Sequence, residues 1–185
     1  LLDLDVYTKE AIRIKEYRLI SKESYDGKIG DLLSMLDFAR AATLKEVATL
    51  TQDDLDYLSH SHGNTIGALL IHIASIEYAH QIITFKDRDL SESENLKWQV
   101  PLELGESGRN IIKNQPLDYY MNQLMAVRND TLDLFSTIKE DWLYIEDTWP
   151  NGVPINYYYL WFHVMEDEMN HCGQIKAIKR LLSYR

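Results

Sequence analysis

Residues 156–184 read NYYYLWFHVMEDEMNHCGQIKAIKRLLSY, and the fold follows from this stretch. Its apolar side chains recur at alternating steps of three and four: Leu160, Val164, Ile175, Ile178 and Leu182. That period predicts one long amphipathic helix, with Asn156 as its N-cap. Asp167 and His171 fall on the same seam, one helical turn apart, where a packed helix ordinarily carries Leu or Ile. A carboxylate on a buried seam is costly unless a charge or a metal satisfies it. The helix therefore carries both the packing pattern and a candidate site.

Working outward, three more segments repeat the helical period. Residues 28–50 place Ile29, Leu32, Leu33, Leu36, Ala39, Thr43 and Val47 on one face, with Arg40 among the polar positions. Residues 65–85 carry the seam Leu69, His72, Ile76, Ala79 and Ile83 behind an Asn64 cap. Residues 116–139 start on a proline, which is favoured in a first helical turn, and align Tyr120, Leu124, Val127, Thr131, Leu134 and Ile138. Four amphipathic helices predict an all-α four-helix bundle over residues 26–185. Residues 1–25 form an N-terminal extension whose pattern fits a short strand or a helix. The polar stretch before Asn64 predicts a loop with one turn of helix. The connection from Lys86 to Pro116 is too long for a tight turn and has room for a short helix. The run YIEDTWPNGVPIN, with two prolines and an Asn-Gly pair, predicts a turn or short hairpin.

Composition narrows the classes of function. A chain of 185 residues can bury a substantial core unaided, and a net charge of -10 leaves no electrostatic footprint for nucleic acid or anionic membrane. A single cysteine, Cys172, excludes an internal disulfide framework and any multi-cysteine zinc site. With an acidic start that lacks a signal-peptide pattern and no unbroken apolar run approaching a membrane span, the expected location is the cytoplasm.

In a bundle, metal sites are built from inward side chains on facing helices. Residues four apart share a helix face, so Asp167 and His171 can bind one ion together, and His72 on another seam can supply a third ligand. Three protein ligands leave a coordination position open, the pattern of a catalytic centre. A competing pattern is the pair of Glu-x-x-His motifs, Glu77/His80 and Glu168/His171, as in ferritin-like di-iron bundles. Those bundles also draw a Glu from each of the other two helices, and the segment 116–139 contains none.

The run HVMEDEMNHCGQIKAIKRLL resembles the last helix of the DinB-like (YfiT-like) metalloenzymes, whose motif is His-x-x-x-His-x-Gly-Gln-Ile. GNTIGALLIHIASIEYAHQ is similar to their second helix, in which a ligand His precedes a Glu by five residues, here His72 and Glu77. The resemblance spans roughly residues 28–184 and places the metal triad on His72, Asp167 and His171. Asp167 departs from the usual histidine; two His and one carboxylate suit Ni, Zn, Fe or Mn. His163, one turn before Asp167, is the alternate ligand. The resemblance also implies a thiol-dependent S-transferase, with a low-molecular-weight thiol as co-substrate, an electrophile as acceptor, and His163 or Glu166 as candidate catalytic groups. The alternative is a non-catalytic bundle with a degenerate site, acting as a binding protein or structural dimer; a ferritin-like di-iron protein is third.

The remaining residues have plainer readings. Glu77 is expected to support His72, His80 to be structural or superficial, and Glu166, Glu168 and Asn170 to form a solvated flank. Gly173 is expected to permit a close helix approach, and Cys172 to point away from the seam and be inert. Tyr157, Tyr158, Tyr159, Trp161 and Phe162, with Trp142 and Trp149, are expected to pack the core and the mouth of the site or to form a homodimer surface.

Overall fold

The computed structural model describes residues 17–183. Helix α1 (Gly27–Val47) is followed by a one-turn α2 (Gln52–Leu55), the core helix α3 (Ile66–Lys86), and the pair α4 (Glu92–Glu103) and α5 (Gly105–Ile111). Then come α6 (Leu117–Phe135), a 3-10 turn at Glu140–Tyr144, the strands β1 (Glu146–Thr148) and β2 (Pro154–Asn156), and the long α7 (Tyr157–Leu182). The all-α bundle expected from the periodicity is the fold found. The two strands pair antiparallel with Asp147 opposite Ile155, closing the expected hairpin. The segment 11–21, expected as strand or helix, lies partly outside the described residues. Its described part has neither, and Tyr17 lies edge-on to Phe38 while Lys22 pairs with Asp37 on α1.

Side-chain links fix how the helices run. Thr84 meets Trp161, and Glu77 and Glu168 share Arg40, so α3 and α7 are antiparallel. Arg40 meets Glu168 and Glu46 meets Lys179, so α1 and α7 run the same way. Gln81 reaches Thr131 at the far end of α6 from where Gly67 meets Tyr120, so α3 and α6 are also parallel. The order is up-down-down-up. Two parallel neighbours cannot be joined by a short turn, and α4 and α5 occupy the long return from α3 to α6.

Local chemistry sets the ends. Asn156 caps α7 as expected, accepting from the Tyr159 amide at 2.8 Å. Thr65, rather than Asn64, caps α3 by accepting from Ala68 at 3.1 Å. Helix α6 ends at Phe135, four residues short of the expectation, because Ile138 packs into the core beside a 3-10 turn rather than continuing the helical face. On α3, a Cβ at Gly67 would stand 2.6 Å from the Tyr120 hydroxyl, so glycine is what lets α6 approach. Helix α3 passes the length and composition test for a membrane span, yet most of it is buried inside the bundle, as a core helix should be. The unbroken-run reading of the sequence did not register it.

Apolar packing is split into two regions. One, rich in α3 residues, includes Leu69, Ile73, Leu124 and Ile175 with Trp98 of α4. The other gathers Ile29, Leu33, Leu36, Phe135, Trp161 and Val164 at the opposite end. Phe85, Phe135, Trp142, Tyr157 and Trp161 form an aromatic group there, while Tyr159 and Phe162 are exposed. Trp149 lines a shallow cleft under the hairpin with Val153 and Tyr159.

Candidate metal centre

Between the two apolar regions lies a group of charges that the sequence patterns did not reveal. Arg40 of α1 donates from Nε to Glu168 at 2.8 Å and from Nη2 to Glu77 at 2.9 Å. Arg128 of α6 donates to both Glu77 oxygens, at 2.7 and 3.1 Å, and to Asp37 at 3.1 Å. Thr131 adds a bond to Glu77 at 2.7 Å. Arg40, Arg128, Glu77 and Glu168 are all buried, so each helix of the bundle contributes one charge to a common cluster. Burial alone would raise the Glu77 carboxyl, but Arg128 and Arg40 outweigh it and hold it at about 2. Glu168 is thus no solvated flank. Its position on the α7 stripe, after Val164 and before His171, was the available signal, and so was that of Arg40 after Leu36 on α1.

This cluster fixes the register of α3 against α7 and so brings His72, Asp167 and His171 together. Asp167 Oδ1 lies 3.3 Å from His171 Nε2 and 3.6 Å from His72 Nε2. The two imidazoles stand 4.7 Å apart between centroids and nearly perpendicular. One ligand atom from each of the three residues lies within 4.8 Å of the others. Burial by itself would raise the Asp167 carboxyl, but the facing imidazoles of His171 and His72 hold it well below the usual carboxylate range.

His72 Nδ1 is 2.9 Å from the Pro101 carbonyl and must donate to it, which leaves Nε2 as the ring nitrogen facing Asp167. That carbonyl belongs to the last turn of α4, where helix acceptors lack intrahelical donors. An outer acceptor of this kind fixes the tautomer of a ligand histidine and increases its basicity. No sequence pattern marks this acceptor, because the short helix expected between Lys86 and Pro116 is polar on most of its surface. The donor set suits a divalent ion, and Asp167 Oδ2, buried with no hydrogen-bond partner, has lone pairs such an ion would satisfy.

The other candidates fall elsewhere. His163 does not join the triad; its Nδ1 pairs with Glu166 Oε2 at 3.2 Å. Glu166 is exposed. The two Glu-x-x-His motifs do not make a carboxylate-bridged centre, since Glu77 and Glu168 are both committed to arginines. Glu77 supports the centre through Arg40 and Arg128 rather than by touching His72. His80 is buried, not superficial. Cys172 is also buried, between α7 and Thr43 of α1, and burial pushes its thiol up. No neighbour comes within 4 Å of a Cβ built at Gly173, so the expected close approach is absent among the described residues.

Comparison with solved structures finds the same fold in a crystal structure of a conserved protein from Enterococcus faecalis. The TM-score is 0.64 at 19% identity, covering 83% of this chain and 96% of that one. A comparison with functionally curated proteins gives no significant match. The profile of the mycothiol S-transferase family matches residues 31–183, which takes in all of α3, α6 and α7, most of α1 and all three residues of the triad. The DinB-like resemblance is borne out, and the chain belongs to the mycothiol S-transferase family of that superfamily.

Proposed function

We propose that the chain is a metal-dependent thiol S-transferase in which His72, Asp167 and His171 hold one divalent ion. The observation that carries this reading is the convergence of three ligand atoms within 4.8 Å, with Asp167 Oδ2 buried and unpartnered beside them. When bound by these three residues, such an ion would supply Lewis acidity, lowering the pKa of a coordinated thiol. In such a transfer the co-substrate sulfur would form an S–C bond to an electrophilic carbon as the leaving group departs with its bonding electrons, and the thiol proton would pass to solvent.

The residues around the triad serve that chemistry. His72 is held in the Nδ1–H tautomer by Pro101, so its Nε2 is ready as a donor atom. Asp167 is held ionised, which a carboxylate ligand requires. The four-helix charge cluster keeps the two ligand helices in register. The family name supports a thiol co-substrate, and the two-His-one-carboxylate set supports Ni, Zn, Fe or Mn as the ion.

Metal analysis of the purified protein tests the reading. One first-row ion per chain is expected, lost in His72→Ala and His171→Ala. Turnover of a general electrophile is expected with one of mycothiol, bacillithiol or glutathione, and it should vanish in the same variants. Failure to bind an ion after reconstitution, or no activity with any of the three thiols, overturns the proposal.

A further inference from the structure

Helices α3 and α7 carry a second imidazole pair. Eight residues on from His72 along α3 is His80, and eight residues back from His171 along α7 is His163. Because the helices are antiparallel, these steps lead to the same level, and the two rings face each other at 5.6 Å between centroids. At 1.5 Å rise per residue the second pair stands about 12 Å along the helices from the first.

Each ring has one nitrogen committed and one left over. His80 Nδ1 lies 2.7 Å from the Ile76 carbonyl and must donate to it, so Nε2 is a bare lone pair. That Nε2 is buried with no hydrogen-bond partner, on a residue only 5% exposed. An unsatisfied buried acceptor destabilises a fold, so its retention points to a partner. His163 Nδ1 donates to the Glu166 carboxylate at 3.2 Å, which leaves its Nε2 as the second lone pair. Its ring lies parallel to that of Tyr159, and its side chain is 34% exposed, which gives access from solvent.

These are the features of ligand histidines: Nδ1–H bonded to a carbonyl or carboxylate, and Nε2 free. His72 shows the same arrangement in the triad. Two imidazoles on one ion, with metal–nitrogen distances of about 2.1 Å, have centroids roughly 5 Å apart. The observed 4.7 Å of the first pair and 5.6 Å of the second lie on either side of that value.

We propose that His80 and His163 form a second cation site, which takes one late first-row divalent ion, Zn2+, Ni2+ or Cu2+, through their Nε2 atoms. Imidazole-only ligation favours these ions over Mg2+, Ca2+ or Mn2+. With two protein ligands against three, the site is weaker than the triad and leaves more positions to solvent or substrate. At about 12 Å the two ions share no bridging ligand, since paired-metal centres need roughly 3.5–4 Å. The proposal uses no residue of the triad and stands whether or not the protein transfers thiols.

The test is a titration of metal-free protein with Zn2+ by calorimetry and with Cu2+ by electron paramagnetic resonance. A His60→Ala/His62→Ala background removes the exposed imidazoles of the 59–64 loop. Two equivalents are expected, the second bound at least tenfold more weakly, with nitrogen hyperfine structure from two imidazoles. His163→Ala, at a half-exposed position, should remove the second equivalent and keep the first; His80→Phe should do the same. His72→Ala should remove the first and keep the second. Zinc or copper binding that is unchanged in stoichiometry by both His163→Ala and His80→Phe overturns the proposal.

Discussion

Glu77 shows what one side chain contributes. It accepts from Arg40, Arg128 and Thr131 in a fully buried setting, so removing it leaves two guanidinium groups short of their partner. Breaking a buried pair on one side costs about 3–5 kcal/mol, more than the pair contributes relative to an apolar replacement. Glu77→Ala is therefore expected to lose about that much in urea denaturation followed by circular dichroism, while Thr131→Val loses about 1 kcal/mol. A loss below 1 kcal/mol for Glu77→Ala would show that the arginines find other partners. At this scale the sequence was only half legible. His72, Asp167 and His171 are legible as a group because a polar residue on an apolar seam stands out, and the structure brings their side chains together. Arg40 and Arg128 stand on seams too, but a search that counts apolar positions passes over them, and their partners lie on other helices. Gly173 was misread for a related reason: a glycine in a helix suggests contact, and only three-dimensional neighbours can deny it.

At the scale of elements, α4 is the informative case. It lies outside the four main helices, packs Trp98 into the α3 region, and offers the Pro101 carbonyl to His72. Its start is held by a capping box in which Ser91 and Glu94 exchange hydrogen bonds, reinforced by Arg88. Ser91→Ala should weaken the helix by about 1 kcal/mol. Because the same helix orients the proposed ligand His72, metal affinity should fall as well, by up to about tenfold, the low end for a lost outer-shell partner. Hydrogen exchange over residues 92–103 and a chelator competition measure the two effects; faster exchange with unchanged affinity would uncouple α4 from the centre. The four long helices were legible because each has a continuous apolar face. Helix α4 was not, since only Trp98 and Pro101 are buried along it and periodicity has little to register.

Over the whole molecule, the depressed groups Glu77, His80 and Asp167 shape the response to acid, and the first two define its upper part. Burial holds His80 neutral, with its pKa down to about 4, and the arginines hold Glu77 at about 2. Both values are depressed, so each group contributes stability that is present above its unfolded pKa and lost as pH falls toward its folded one. For His80 the window runs from about 6.5 down to about 4, and for Glu77 from about 4.5 down to about 2. Each pKa unit corresponds to about 1.4 kcal/mol. Metal-free protein should therefore begin to lose stability below about pH 6.5 and lose it more steeply below about 4.5. In His80→Phe the upper limb should be flat. Urea midpoints measured across that range check both statements; an unchanged upper limb in the variant would assign it to other groups.

The up-down-down-up order also bears on synthesis. Helix α1 finds its parallel partner only in α7, so Leu32, Leu33 and Leu36 wait for Trp161 and Val164. Between Val47 and Tyr157 the ribosome must add the whole of α3 through β2. At about 5–20 residues per second that interval lasts roughly 5–20 s. Through it the apolar face of α1 lacks its main partner, which makes the nascent chain a natural client for a chaperone. On the proposed reading, loading of an ion must follow release of the last helix, because two of the three proposed ligands, Asp167 and His171, lie on α7, which is translated last.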